Sequence, residues 1–142
     1  MRRSHDREED LPQCGGCYTL VIVLSKQRSI RVGKLGKFLF LKGTYLYTGS
    51  AMAGLRRRIA RHLRKRKKLH WHIDYLLNCA GTAVKGVMIH RSSSRQECLH
   101  NKRIFRLPGA RVTVPGFGSS DCRADCPSHL VYFVSKPKRL AR

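Results

Sequence analysis

Cys17-Tyr18-Thr19-Leu20-Val21-Ile22-Val23-Leu24 is the stretch on which the fold turns. It is β-branched, aromatic or aliphatic on both faces, the composition of a central strand covered on each side. Alternation puts Tyr18, Leu20, Ile22 and Leu24 on one face. Downstream, Ser25 to Arg28 reads as a turn, Ile30-Arg31-Val32 as a partner strand, and Phe38-Leu39-Phe40-Leu41 as a short edge segment before the turn at Gly43. Thr44 to Thr48 is the next strand, with Tyr45 and Tyr47 on one face. Antiparallel pairing with the first strand therefore brings two tyrosines together.

Gly49, Ser50 and Gly54 end that strand, and residues 55–66 follow a helical pattern. At about 100° per residue, Leu55, Ile59, His62 and Leu63 form one stripe, and Arg57, Arg61, Arg64 and Lys65 gather on the far side. Arg58 falls at the edge of the buried stripe, one turn before His62. Trp71 to Cys79 reads as a second helix and Ala83 to Ile89 as a strand. Ser92-Ser93-Ser94 with Glu97 has the form of a capping box opening a third helix towards Arg106. A glycine- and serine-rich loop, Pro115 to Asp121, leads to a last strand at Leu130 to Val134. Residues 1–13 are expected to be a disordered leader, 14–135 the folded domain and 136–142 a basic tail.

The 142 residues suit one domain, since a single core serves roughly 100–200 residues. Lys and Arg number 30 against 8 Asp and Glu, a formal charge of +22. Such an excess matches a polyanion that neutralises it on binding, nucleic acid before an anionic membrane or an acidic protein. Met1-Arg2-Arg3-Ser4-His5-Asp6 carries no apolar segment of the kind that directs export, and Leu20 to Leu24 is too short to span a bilayer. The expectation is a soluble, cytoplasmic protein with no membrane partner, whose six cysteines serve as thiols or metal ligands rather than disulfides.

Gly16-Cys17-Tyr18, then Tyr47-Thr48-Gly49-Ser50-Ala51, then Leu55-Arg56-Arg57-Arg58-Ile59-Ala60-Arg61-His62 resemble, in order and placement, the GIY-YIG nuclease superfamily. Val32-Gly33-Lys34-Leu35-Gly36, His70-Trp71-His72-Ile73-Asp74-Tyr75-Leu76, Glu97-Cys98 and Gly116-Phe117-Gly118-Ser119-Ser120-Asp121-Cys122 are similar to a branch of small basic proteins of uncharacterised function, found alone or joined to endonuclease III in archaea and bacteria. The resemblance runs from Gly15 to Phe133. It implies an α/β (α+β) fold, a small antiparallel sheet of three core strands plus extra edge strands, flanked by helices. It also implies phosphodiester hydrolysis assisted by one divalent ion, Mg²⁺ or Mn²⁺.

By that resemblance Tyr18 contacts or activates the attacking water, Tyr47 orients water and phosphate, and Arg58 holds the phosphate. His62 relays a proton or hydrogen-bonds within the packed stripe. His70 is a candidate base or shuttle, and Glu97 is the metal ligand. The residues themselves also allow two core tyrosines, a His70, His72 and Asp74 metal triad or helix cap, and a Glu97 that only completes a capping box. In other branches the corresponding glutamate lies about a turn deeper, at Asn101 or Lys102 here. Asp121 is a second ligand or a turn residue. Cys122, Cys126 and His129 with Cys14 and Cys17 offer soft ligands, but Cys17 sits inside the strand and the spacing is irregular, so zinc is not expected.

The nucleic-acid contacts expected are Arg57, Arg61, Arg64, Lys65, Lys67 and Lys68 on the phosphate backbone. The expected function is a metal-dependent endonuclease acting on DNA in repair or processing, with a repair protein as a candidate partner. The alternatives are a catalytically inactive nucleic-acid-binding module of the same fold and an RNA-associated basic protein.

Overall fold

The computed structural model describes residues 11–119, 122 and 125–138. The apolar run becomes β1 (Gly16–Leu24), buried along nearly its whole length. β2 (Arg28–Val32) and β3 (Gly36–Phe40) follow, then β4 (Gly43–Ser50), α1 (Leu55–Leu63), α2 (His72–Leu77), β5 (Thr82–Arg91), α3 (Glu97–Phe105) and β6 (Leu130–Phe133). The protein is of the α+β class: a four-stranded sheet in the order β5-β1-β4-β6, a two-stranded sheet β2-β3, and three helices.

Every pairing is antiparallel. β1 lies between β4 and β5, as a strand apolar on both faces must. The register sets Leu20 opposite Tyr47 and Tyr18 opposite Gly49. Ile30 to Val32 pair with β3 rather than with β1, so this hairpin forms its own small sheet instead of extending the main one.

Two cores cover the sheet. On one face Tyr18, Leu20, Ile22 and Leu24 pack with Leu55 and Ile59 of α1, Ile73 and Leu76 of α2, and Ile30, Val32 and Phe40 of the hairpin. On the other, Val21, Leu46, Val131 and Phe133 meet Ile104 of α3. Burial of such side chains, at roughly 1.5–3 kcal/mol each, is the main force holding helices to sheet.

Several boundaries move. Leu11 is buried in the larger core, Arg56 Nε donates to its carbonyl at 2.9 Å, and the Arg56 amide donates to Pro12 O at 2.9 Å. The folded part thus begins before Cys14, because α1 needs those carbonyls. Residues 1–10 of the expected leader and 139–142 of the expected tail lie outside the described residues, while Pro137 is buried. α1 stops at Leu63, where Arg64 turns extended.

The capping box at α3 does not form. Ser92 Oγ accepts from the Ser94 amide at 3.1 Å, and Glu97 opens the helix instead of sitting at its third position. That leaves the Glu97 carboxylate uncommitted to the helix end. No helix is long and apolar enough to cross a membrane among the described residues.

Candidate active cleft

Antiparallel pairing brings the start of β1 to the end of β4, and Gln96 N–H donates to Cys17 Sγ at 3.2 Å, tying the first turn of α3 to the same corner. The result is a cleft of about 190 Å³ lined by Tyr18, Tyr47, Arg58, Trp71, Arg95 and Glu97, among others. A water occupies about 30 Å³ of liquid, so the space suits a phosphate group and a few waters.

Tyr18 is 1% exposed, and its hydroxyl lies 2.6 Å from His62 Nε2. The Tyr18 and Tyr47 ring centroids are 6.5 Å apart. Gly49 makes room for this: a Cβ there would come within 2.6 Å of the Tyr18 hydroxyl oxygen. Gly118 does the same for Tyr47 from the opposite wall, at φ +68°, a conformation that glycine adopts freely.

Burial pushes the Tyr18 phenol well above its usual range, with Tyr47 adding to it and Arg58 opposing. Burial, then the Glu97 charge, raises Tyr47 as well. His62 is driven down to about 3, first by burial and then by Lys67. At neutral pH all three are therefore uncharged. Tyr18 cannot act as a free phenolate; it can pass a proton to the imidazole as it takes one from water.

Arg58 is fixed by a 2.9 Å bond from Nη1 to Ser50 O and by its guanidinium carbon lying 4.4 Å from the Trp71 ring centroid. It lines both this cleft and a groove of about 450 Å³ that also touches Arg57, Arg61 and Arg64. Glu97 stands on the cleft wall with its side chain 26% exposed, 3.7 Å from His129 Nδ1. Asn101, the deeper position considered for the carboxylate, is fully buried and donates to Ser128 O at 2.7 Å.

Tyr18, Tyr47, Arg58 and Glu97 thus share one cavity, with His62 behind Tyr18. His70 does not join them. It is exposed on the edge of Trp71, centroids 5.2 Å apart, because the chain before α2 runs along the outside of α1.

The His70, His72 and Asp74 triad is not assembled either. His72 Nδ1 accepts from the Gly118 amide at 2.8 Å, anchoring the loop that closes the cleft. Asp74 is fully buried, takes the His70 and Trp71 amides at 2.8 and 2.9 Å, and pairs with both terminal nitrogens of Arg61 at 2.8 and 2.9 Å.

Two expected nucleic-acid contacts are corrected by those bonds. Arg61 is committed to Asp74 and to Lys68 O, and it too lies over Trp71, at 4.3 Å. Lys67 Nζ donates to the carbonyls of Arg61 and His62 at 3.2 and 2.5 Å, capping the end of α1. Arg57, Arg64, Lys65 and Lys68 are exposed, as a backbone contact must be. Arg95, exposed on the cleft wall, was not singled out by its sequence context; an isolated arginine in a serine-rich turn carries no pattern. Asp121 lies outside the described residues.

The soft ligands gather differently from the sequence expectation. Cys98 of α3, Cys122, Cys126 and His129 bring their donor atoms within 4.8 Å of one another, a group that could hold a metal ion. Cys98 takes the place imagined for Cys14 and Cys17; Cys14 is exposed, and Cys17 is used against Gln96 and Ser50. Three thiols and an imidazole suit zinc better than Mg²⁺ or Mn²⁺, so the donor chemistry goes against the expectation that zinc has no place here.

No curated protein and no solved structure matches the chain. Residues 17–142 match the family model of Domain of unknown function DUF123, and with the match spanning both halves of the cleft the chain belongs to that family.

Proposed function

We propose that this protein is a GIY-YIG-type, metal-dependent endonuclease that hydrolyses phosphodiester bonds in nucleic acid, DNA first, in repair or processing in the cytoplasm. The single observation that carries this is the meeting of Tyr18, Tyr47, Arg58 and Glu97 in one cleft. That cleft shares Arg58 with the groove along α1, so a strand following the exposed cations delivers a phosphate to a guanidinium already held in place.

In this reading the planar fork of Arg58 takes a non-bridging phosphate oxygen and stabilises charge as it develops. Tyr47 positions the water. As that water attacks phosphorus and a P–O bond breaks, its proton passes to the Tyr18 oxygen while Tyr18 gives its own to His62 Nε2. Glu97 is the only carboxylate among the described residues lining the cleft, and it is partly exposed. A hard oxygen donor in a space that admits water fits Mg²⁺ or Mn²⁺ completed by waters and substrate oxygens. Such an ion would supply neutralisation of phosphate charge.

A second reading, a nucleic-acid-binding module that does not cleave, is favoured by the same burial: two protonated phenols and an imidazole held at about 3 make a weak resting base. A nicking assay on supercoiled DNA, single-stranded DNA and RNA, with Mg²⁺ or Mn²⁺, separates them. The endonuclease reading expects metal-dependent cleavage that Tyr18→Phe, Arg58→Ala and Glu97→Gln each abolish. Binding without cleavage on every substrate would overturn it in favour of the module, and cleavage or binding confined to RNA would move the substrate class.

A further inference from the structure

We infer that Cys98, Cys122, Cys126 and His129 form a structural zinc site that clamps the loop before β6 onto the first turn of α3. This goes beyond the endonuclease proposal and does not depend on it. All four donor atoms lie within 4.8 Å of one another. Around a tetrahedral zinc with Zn–S near 2.3 Å and Zn–N near 2.0–2.1 Å, donors stand about 3.5–3.8 Å apart. Cys98 Sγ lies 3.6 Å from His129 Nε2 and 3.2 Å from Cys122 Sγ, so the set needs only a few tenths of an ångström of expansion to take the ion.

The chemistry of the site is otherwise unfavourable. Thiols are weak donors and weak acceptors, and packing three of them against an imidazole satisfies none of them well. As zinc thiolates they become strong ligands. Three thiolates with one dication leave a local charge of about −1, which is favourable in a chain whose formal charge is +22. Four protein ligands leave no open coordination position, the arrangement of a structural rather than a catalytic zinc.

The surroundings hold these ligands in place. His129 donates its amide to Phe117 O at 2.8 Å and accepts from Thr48 N–H at 3.1 Å, and Asn101, one turn after Cys98, donates to the carbonyl of neighbouring Ser128. With Nε2 directed at the cluster, His129 Nδ1 faces the Glu97 carboxylate at 3.7 Å. Metal-bound histidines characteristically present the other nitrogen to a carboxylate. Zinc would therefore fix the ring beside the cleft carboxylate.

The test uses the full, untagged chain purified without chelator. Zinc measured by plasma mass spectrometry should be near one per chain, and titrating the thiols with a mercurial should release it. Cys98→Ser should lose most of it, whereas Cys14→Ser and Cys79→Ser should keep it. Because Cys98→Ser may fold poorly, the second measurement uses wild-type protein stripped of metal and titrated with Co²⁺. Visible bands of a tetrahedral three-sulfur, one-nitrogen site are expected, and Cys98→His should shift rather than abolish them.

Wild-type protein that neither retains zinc nor develops those bands would overturn the site. So would a Cys98–Cys122 disulfide found by mass spectrometry, or equal loss in Cys14→Ser. Zinc without cleavage would refute the endonuclease reading alone, and cleavage without zinc would refute this one alone.

Discussion

The two faces of α1 carry the same residue type to different ends. On the inner face Arg61 spends its terminal nitrogens on Asp74 and Lys68 O, and Arg58 is stacked at Trp71 with one nitrogen on Ser50 O. On the outer face Arg57 and Arg64 are exposed. A guanidinium is structural, catalytic or polyanion-binding according to what the fold places beside it; helical position alone does not decide.

The severest way to break the inner face is Asp74→Ala. It strands Arg61 and removes the acceptor for two amides at the start of α2. Losing one partner of a buried ion pair costs roughly 3–5 kcal/mol, so urea denaturation should show a loss of that size, with Arg61→Ala also destabilising. If Arg61→Ala instead leaves stability intact and weakens nucleic-acid binding, Arg61 belongs with the outer face.

Arg58 sharpens the contrast from the same turn of helix. If it acts on phosphate, Arg58→Ala should lower the cleavage rate about 10²–10³-fold, roughly 2.7–4 kcal/mol. Arg58→Lys should restore little, because an ammonium lacks the fork that bonds Ser50 O and a phosphate together. Equal losses of rate and of folding stability would make Arg58 merely a second Arg61.

His62 gives the inner face a pH signature. Its imidazole is held at about 3, and burial also lowers His72, His90 and His100. Protons therefore favour the unfolded chain, where a histidine titrates near 6.5. Stability should be flat above about pH 6.5 and fall below it, His62 alone contributing about 1.4 kcal/mol per pH unit. His62→Gln should flatten that slope; an unchanged profile would mean that His62 is charged in the native state.

Sequence made α1 itself plain, since Leu55, Ile59 and His62 recur at helical spacing and are all buried. It also made the tyrosine pair plain, because β1 and β4 each declare their faces by alternation. The Arg61–Asp74 pair was hidden because a wheel describes one helix and Asp74 belongs to the next. The far side of the wheel is solvent only where nothing packs on it. The Cys98 site was hidden for a related reason: its ligands come from a helix and a distant loop, and ligand spacing along the chain signals only sites built from neighbouring turns.

The outer face yields the smallest effect. Exposed cations on a duplex contribute by releasing counterions, each contact adding about 0.9 to the slope of log K against log salt. Arg57→Ala and Arg64→Ala should each lower that slope by about one contact, weaken binding by a similar factor on unrelated sequences, and leave stability within about 0.5 kcal/mol. Because Arg57 and Arg64 line the same groove as Arg58, the double variant should lose about two contacts while the cleavage rate at saturating substrate stays unchanged. A slope that does not move would take the strand off this groove, and Arg95, on the opposite wall of the cleft, would be the next cation to replace.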